Sequence, residues 1–209
     1  MQTQLIPVGV SNRHVHVSQA DLEALFGPGY QLKEMRPLSQ PGQYAAVEVV
    51  TLVGPKGHLE KVRILGPVRR ETQVEIAQTD AYKLGVSAPV RDSGDLDGTP
   101  GLTIVGPHGE VTIDKGVILA CRHIHMTPED ALSFGVKDQD RVNIRVGGDR
   151  PITFEGVLIR VSPSYALELH LDTDEANSAL LRTGEYVALS FPGIAPHVAL
   201  PRFDKVLLV

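Results

Sequence analysis

Two His-x-His segments, His14/His16 and His123/His125, are the residues of this 209-residue chain whose type and spacing point most directly to chemistry. On a β-strand, residues i and i+2 face the same side, so each segment presents two imidazoles together. Neutral imidazole is a common metal ligand. A single His-x-His is a weak signal, but here it lies in a longer repeat. Arg13, His14, Val15, His16, Val17 and Ser18, followed by Asp21, recur 109 residues later as Arg122, His123, Ile124, His125, Met126 and Thr127, followed by Asp130. A looser echo follows, with Arg63, Pro67, Glu75 and residues 79–81 matched by Arg160, Pro163, His170 and residues 173–174. Glu75 stands between Val74 and Ile76, and His170 between Leu169 and Leu171. A glutamate in such an apolar run needs a partner, and a cation would be one. The candidate metal sites are therefore His14/His16/Glu75 and His123/His125/His170. Three ligands leave a fourth zinc position open, which suits catalysis better than a closed structural site.

Arg69, six residues before Glu75, is the second chemical signal. A guanidinium beside a metal suits phosphate, because its planar fork bonds two oxygens while the ion takes another. Its neighbours Lys56, Lys61, Arg63 and Arg70 read equally well as a solvated face. No P-loop and no dinucleotide fingerprint occurs, which disfavours those phosphate-binding modes. His58, His108 and His197 read as turn or tail histidines. Cys121 reads as a small hydrophobe rather than a nucleophile or ligand.

The elements that must position these groups are short and β-rich. Runs at 47–53, 62–65, 103–105, 117–120, 142–146 and 157–161 are bounded by Gly-Pro and Gly-Gly turns, the pattern of antiparallel hairpins. Ser18 with Asp21, and Thr127 with Pro128 and Asp130, open short helices; Thr79 and Thr173 open two more. Residues 92–101 form a linker or an active-site loop. The expected fold is mainly β: two related β-sheet domains, one per repeat. Residues beyond about 181 have no counterpart in the first half. Their apolar stretches at 186–191, 198–200 and 206–209 suggest added strands.

Composition sets the outer limits. At 42% hydrophobic and 22% charged residues the chain can bury a core, which excludes wholesale disorder. No run approaches a membrane span, and one cysteine cannot form an internal disulfide. Twenty basic against 25 acidic residues, a net charge of −5, argues against a nucleic-acid-binding surface. The expected partners are thus neither nucleic acid nor membrane, and the expected location is cytoplasmic.

Residues 8–16, 40–43, 54–57, 65–67, 73–76, 93–95, 98–101, 122–126 and 172–177, taken in order, resemble the PduL-type phosphotransacylases. This family interconverts acyl-CoA plus phosphate with acyl phosphate plus CoA, and phosphate propanoyltransferase is its named activity. The resemblance implies two β-barrels capped by short α-helices, with two Zn2+ in one active site. It implies an interleaved order, in which residues 13–120 make one barrel and residues 1–12 with 121–209 make the other. It assigns His14, His16 and Glu75 to one metal site and His123, His125 and His170 to the second. It makes Arg69 the phosphate-binding arginine, places Ser93 near the reacting groups, and puts Ser11, Asn12, Lys56, Arg63 and Asn177 along CoA. A homodimer is the expected assembly. Microcompartment members carry an N-terminal extension, and only about seven residues precede Val8 here, so the expectation is a cytosolic role handling acetyl-CoA rather than encapsulation.

Two rival readings come from the residues themselves. Glu129 shortly after His123/His125 mimics the spacing of cupin oxygenases and isomerases, although Ala20 stands there in the first copy. The other rival is a non-catalytic barrel whose paired histidines hold structural metal.

Overall fold

The β-branched runs become strands in the computed structural model, which describes residues 5–190. In chain order these are β1 (Leu5–Ser11), β2 (His14–His16), β3 (Glu34–Pro37), β4 (Tyr44–Val53), β5 (His58–Gly66), β6 (Gln73–Glu75), β7 (Val90–Arg91), β8 (Leu102–Val105), β9 (Glu110–Ile113), β10 (Val117–Ala120), β11 (His123–Met126), β12 (Arg141–Val146), β13 (Ile152–Val161), β14 (Glu168–Asp172) and β15 (Tyr186–Ser190). Four short helices lie among the described residues: α1 (Gln19–Phe26), α2 (Gln78–Leu84), α3 (Pro128–Phe134) and α4 (Thr173–Ala179).

The helix starts follow local chemistry. The Ser18 hydroxyl accepts from Asp21 N at the head of α1. Thr127 and Asp130 satisfy each other's backbone N–H at the head of α3, with Pro128 at its first position. α4 starts at Thr173, but Asp172 rather than the threonine is its cap. α2 starts at Gln78 after Ala77, whose N–H is met by Asp80.

Six strands close a barrel in the order β1-β14-β11-β13-β12-β15. The other nine form a sheet, β7-β10-β6-β2-β5-β4-β8-β9 with β3 on β4, that curls as a half-barrel without closing. One end of that sheet is sheltered by α1, where His108 N donates to the Leu25 carbonyl (3.0 Å). β15, from the stretch without a counterpart in the first half, seals the barrel between β1 and β12. The stretches 198–200 and 206–209, and His197, lie outside the described residues.

The repeat is also a repeat of register. β2 runs antiparallel to β6, with His14 opposite Glu75, and β11 runs antiparallel to β14, with His123 opposite His170. Glu75 and His170 thus hold the same place in the two units. The basic residues do not: Arg63 faces His14 on β5, whereas Leu158 faces His123 on β13 and Arg160 faces His125. The strands leading into each His-x-His are exchanged. β1 pairs with β14 in the barrel, Gly9 opposite His170, while β10 pairs with β6 in the open sheet, Ile118 opposite Glu75.

Alternation drives the rest. Val15, between His14 and His16, is fully buried with Leu22, Leu52, Ile64 and Ile104 in one core. Ile124, between His123 and His125, is buried with Ile6, Met126, Ile144 and Leu169 in the other. Each such side chain contributes roughly 1.5–3 kcal/mol by leaving water. Burying the middle residue of each triplet turns both imidazoles to the opposite face.

Candidate active site

Each His-x-His is aimed by its own backbone. His14 Nδ1 lies 2.8 Å from the Asn12 carbonyl, and His123 Nδ1 lies 2.8 Å from the Cys121 carbonyl. A carbonyl only accepts, so both Nδ1 atoms carry the proton and both Nε2 atoms keep a free lone pair. His16 Nδ1 makes the same kind of contact with the Leu65 carbonyl (3.3 Å). His14 Nε2 then stands 3.5 Å and His16 Nε2 3.7 Å from the two oxygens of Glu75. In the second unit the ring centroids of His123, His125 and His170 are 4.6–4.9 Å apart pairwise.

Both trios bring their ligand atoms within 4.8 Å of one another. The donor set fits a divalent cation. Burial, reinforced by His14, pushes His16 down to about 3. Burial, with His170 and Arg160, pushes His123 down to about 4, and His125 is lowered further by burial and His123. Neutral imidazoles are the form a metal takes. Burial pushes Glu75 up, but His14, His16 and Arg69 outweigh it and hold the carboxylate ionised. Burial pushes His14 down, and Glu75 more than reverses this. His125 Nδ1 and His170 Nε2 are buried without a hydrogen bond among the described residues. The orphaned His125 nitrogen is one that a coordinated ion would satisfy, whereas His170 Nε2 has the Glu168 carboxylate 2.6 Å away.

Around the first trio lies a tight polar net. Ser93 Oγ donates to Glu75 Oε1 (3.0 Å) and accepts from Arg69 (3.1 Å) and Gln73 Nε2 (2.9 Å). Gln73 in turn accepts from Gly94 N (2.8 Å), which anchors the 92–101 loop to β6. The loop is therefore part of the site rather than a linker. Arg69 is fixed from behind by its own N–H, which donates to the Val17 carbonyl (2.9 Å).

One cavity of about 720 Å³ holds all six trio residues with Arg69, Ser93, Ser11, Asn12 and Arg63. Lys56 and Asn177 are not among its lining. Lys56 sits at the β4–β5 turn, where its N–H donates to the Leu84 carbonyl and its stem lies over Gly85. Asn177 is exposed on α4. Arg63 spends one guanidinium nitrogen on the Ala46 and Val47 carbonyls, which the β4 bulge frees from the ladder. Glu129 is exposed on α3 and absent from the cavity, which removes the cupin-like spacing. Cys121 is half-buried and contributes its carbonyl to His123.

Sequence reasoning noted Arg160 in the repeat and residues 40–43 and Gln73 among the family motifs but gave them no role in the site, and it passed over Tyr165 and Glu168; all lie at the cavity or against it. Tyr165 packs against His125 (4.2 Å between centroids), and Arg160 lies over the tyrosine ring at 5.9 Å. Gln40 binds both backbone groups of Ala166 (3.0 and 3.2 Å), so a segment of the first half is docked on the barrel.

A cleft lined by ionisable groups held far from their ordinary protonation, beside an oriented guanidinium, is the cleft of an enzyme. The chain belongs to the phosphate propanoyltransferase family, whose model matches residues 7–182. It is 63% identical over 183 residues to a phosphate propanoyltransferase of Thermotoga maritima, covering 87% of each chain. It is 55% identical over 180 residues to that of Salmonella typhimurium, covering 86% of this chain and 85% of the relative. It is 52% identical over 184 residues to that of Rhodopseudomonas palustris, covering 88% and 81%. The protein is accordingly an acyltransferase. No helix of the described residues is long and apolar enough to cross a membrane.

Proposed function

We propose that this chain transfers a short acyl group, propanoyl or acetyl, between CoA and inorganic phosphate, with two Zn2+ held by His14/His16/Glu75 and His123/His125/His170. The observation that carries this reading is the placement of Arg69, tied to Glu75 through Ser93, in the cavity that holds all six trio residues. Bound there, the two ions supply Lewis-acid charge for phosphate and for the oxygen that gains charge at the thioester carbonyl. Arg69 takes two phosphate oxygens in its fork and turns a third toward the thioester. That oxygen forms a bond to the acyl carbon, the carbon–sulfur bond breaks, and the phosphate proton passes to the departing CoA thiolate. Ser93 keeps Arg69 from swinging out of line. Ser11, Asn12 and Arg63 line the CoA side of the cavity, and Tyr165 shields His125 from water.

The test follows free thiol from acetyl-CoA and propanoyl-CoA, with and without phosphate and before and after chelation, alongside metal analysis. Phosphate-dependent release that chelation abolishes supports the reading and ranks the two acyl groups. Thiol release indifferent to phosphate, from folded metal-loaded protein, would sink it.

A further inference from the structure

A second carboxylate, Glu168, is buried at the second trio, and the reaction as derived above gives it no part. It stands on β14 two residues before His170, so the two side chains share a face. Its Oε2 lies 2.6 Å from His170 Nε2, out of line for a hydrogen bond, and is held on the far side by the Ser39 hydroxyl. Gly9, on the neighbouring strand β1, makes the room. A Cβ there would stand 2.7 Å from the Glu168 carboxyl carbon and 2.8 Å from Oε1. Residue 168 is 7% exposed. An acid so placed, with the Ser39 hydroxyl, the Gln40 amide and one imidazole as neighbours, is costly to bury unless the imidazole's own function requires it.

The two trios also differ in charge. The first has Glu75 among its ligands, while the second is three imidazoles with Arg160 beside them on β13. Three neutral ligands leave the full double charge of a divalent ion uncompensated, next to a guanidinium. A carboxylate against one ligand ring offsets that charge and fixes the ring's angle, as partners of metal-bound histidines commonly do.

We infer that Glu168 is the positioning residue of His170, setting the imidazole for the second metal ion and giving that site the negative charge its ligands lack. This rests on the two-ion reading above. Because Ser39 binds the same carboxylate, the 38–43 segment of the first half becomes part of the second site's support.

Cobalt(II) titration of metal-free protein tests it, using the ligand-field bands and competition with a chelator; His170→Ala identifies the second-site signal. Wild type takes up two equivalents. Glu168→Gln keeps the first-site affinity and loses about 10- to 100-fold at the second, with band positions unchanged because the same imidazoles coordinate. Gly9→Ala displaces the same carboxylate without altering its chemistry and gives the same selective loss, so the result does not depend on one variant folding. Two equivalents bound by both variants with wild-type affinity would overturn the inference and leave the two-ion reading standing. Bands shifted as for a lost oxygen ligand would also overturn it, because Glu168 would then coordinate directly. A wild type that binds fewer than two equivalents takes down both.

Discussion

Ser93 gives its hydroxyl proton to Glu75 Oε1 across 3.0 Å and, with its lone pairs, receives Arg69. The serine is therefore a bridge between a candidate metal ligand and the arginine proposed to bind phosphate, held by Gln73 from a third side. Ser93→Ala cuts that bridge and removes one of the hydrogen bonds that Glu75 accepts. Hydrogen bonds to charged groups are worth roughly 1.5–3 kcal/mol, so kcat/KM is expected to fall about 10- to 100-fold. The loss should appear mainly in the phosphate dependence, which steady-state kinetics at varied phosphate would show.

The proposed role of Arg69 uses the shape of its fork as well as its charge. Arg69→Lys keeps the charge and loses paired recognition of two oxygens, so the phosphate KM should rise about tenfold or more. The CoA-side KM should move little. A lysine variant with wild-type phosphate kinetics would show that only the charge is used.

In each unit an arginine just before the His-x-His strand reaches the helix that follows the third trio residue, α2 after Glu75 and α4 after His170. Arg13 reaches Asp80 at 2.7 Å and Arg122 reaches Glu175 at 2.7 Å, and both acids stand at the third position of their helices. The Asp80 side chain is 4% exposed and that of Glu175 is 22%. Arg13→Ala leaves the more deeply buried charge alone, and should destabilise by about 2–3 kcal/mol, more than Arg122→Ala. Urea unfolding of both variants gives the order.

In metal-free protein, His16 is held down to about 3 and His123 to about 4 by burial, and His125 is lowered as well, against 6.5 when unfolded. Below pH about 6.5 the unfolded chain binds more protons at these three groups than the folded one, so stability falls as pH falls toward 4. His14, raised by Glu75, works in the opposite direction, one group against three. Melting of chelator-treated protein should drop between pH 7.5 and 5.0. A flat or rising profile would show that the folded histidines accept protons freely.

The trios were legible because their signals are local. A charged or histidine residue alternating with apolar neighbours marks one strand face, and the repeat of Arg13–His16 at Arg122–His125 doubled the signal. Helix starts at Ser18 and Thr127 were legible for the same reason. What stayed hidden is contact between distant segments, Ser39 with Glu168 and Gln40 with Ala166; the exchange of β1 and β10 was expected only from the family resemblance, because no local pattern in either strand names its partner. Glu168 itself carried a readable sign. It lies between Leu167 and Leu169 and two residues before His170, the same alternation that singled out Glu75. The half-barrel was not foreseen as open, since whether a sheet closes depends on strand tilt and edge cover, neither of which a composition pattern encodes. Lys56 was placed along CoA by the family resemblance alone, and its turn packs against the end of α2.

The exchanged first strand sets an order on biosynthesis. β1 leaves the ribosome first, but its partners in the barrel, β14 and β15, are among the last strands made. At ~5–20 residues per second, roughly ten to thirty seconds pass before residues 168–172 emerge. Throughout that time an apolar segment carrying Ile6 and Val8 has no sheet to join, while the open sheet can assemble as soon as β10 is available. The nascent chain thus carries an exposed thread until the end of translation, and that is where a chaperone would be needed most.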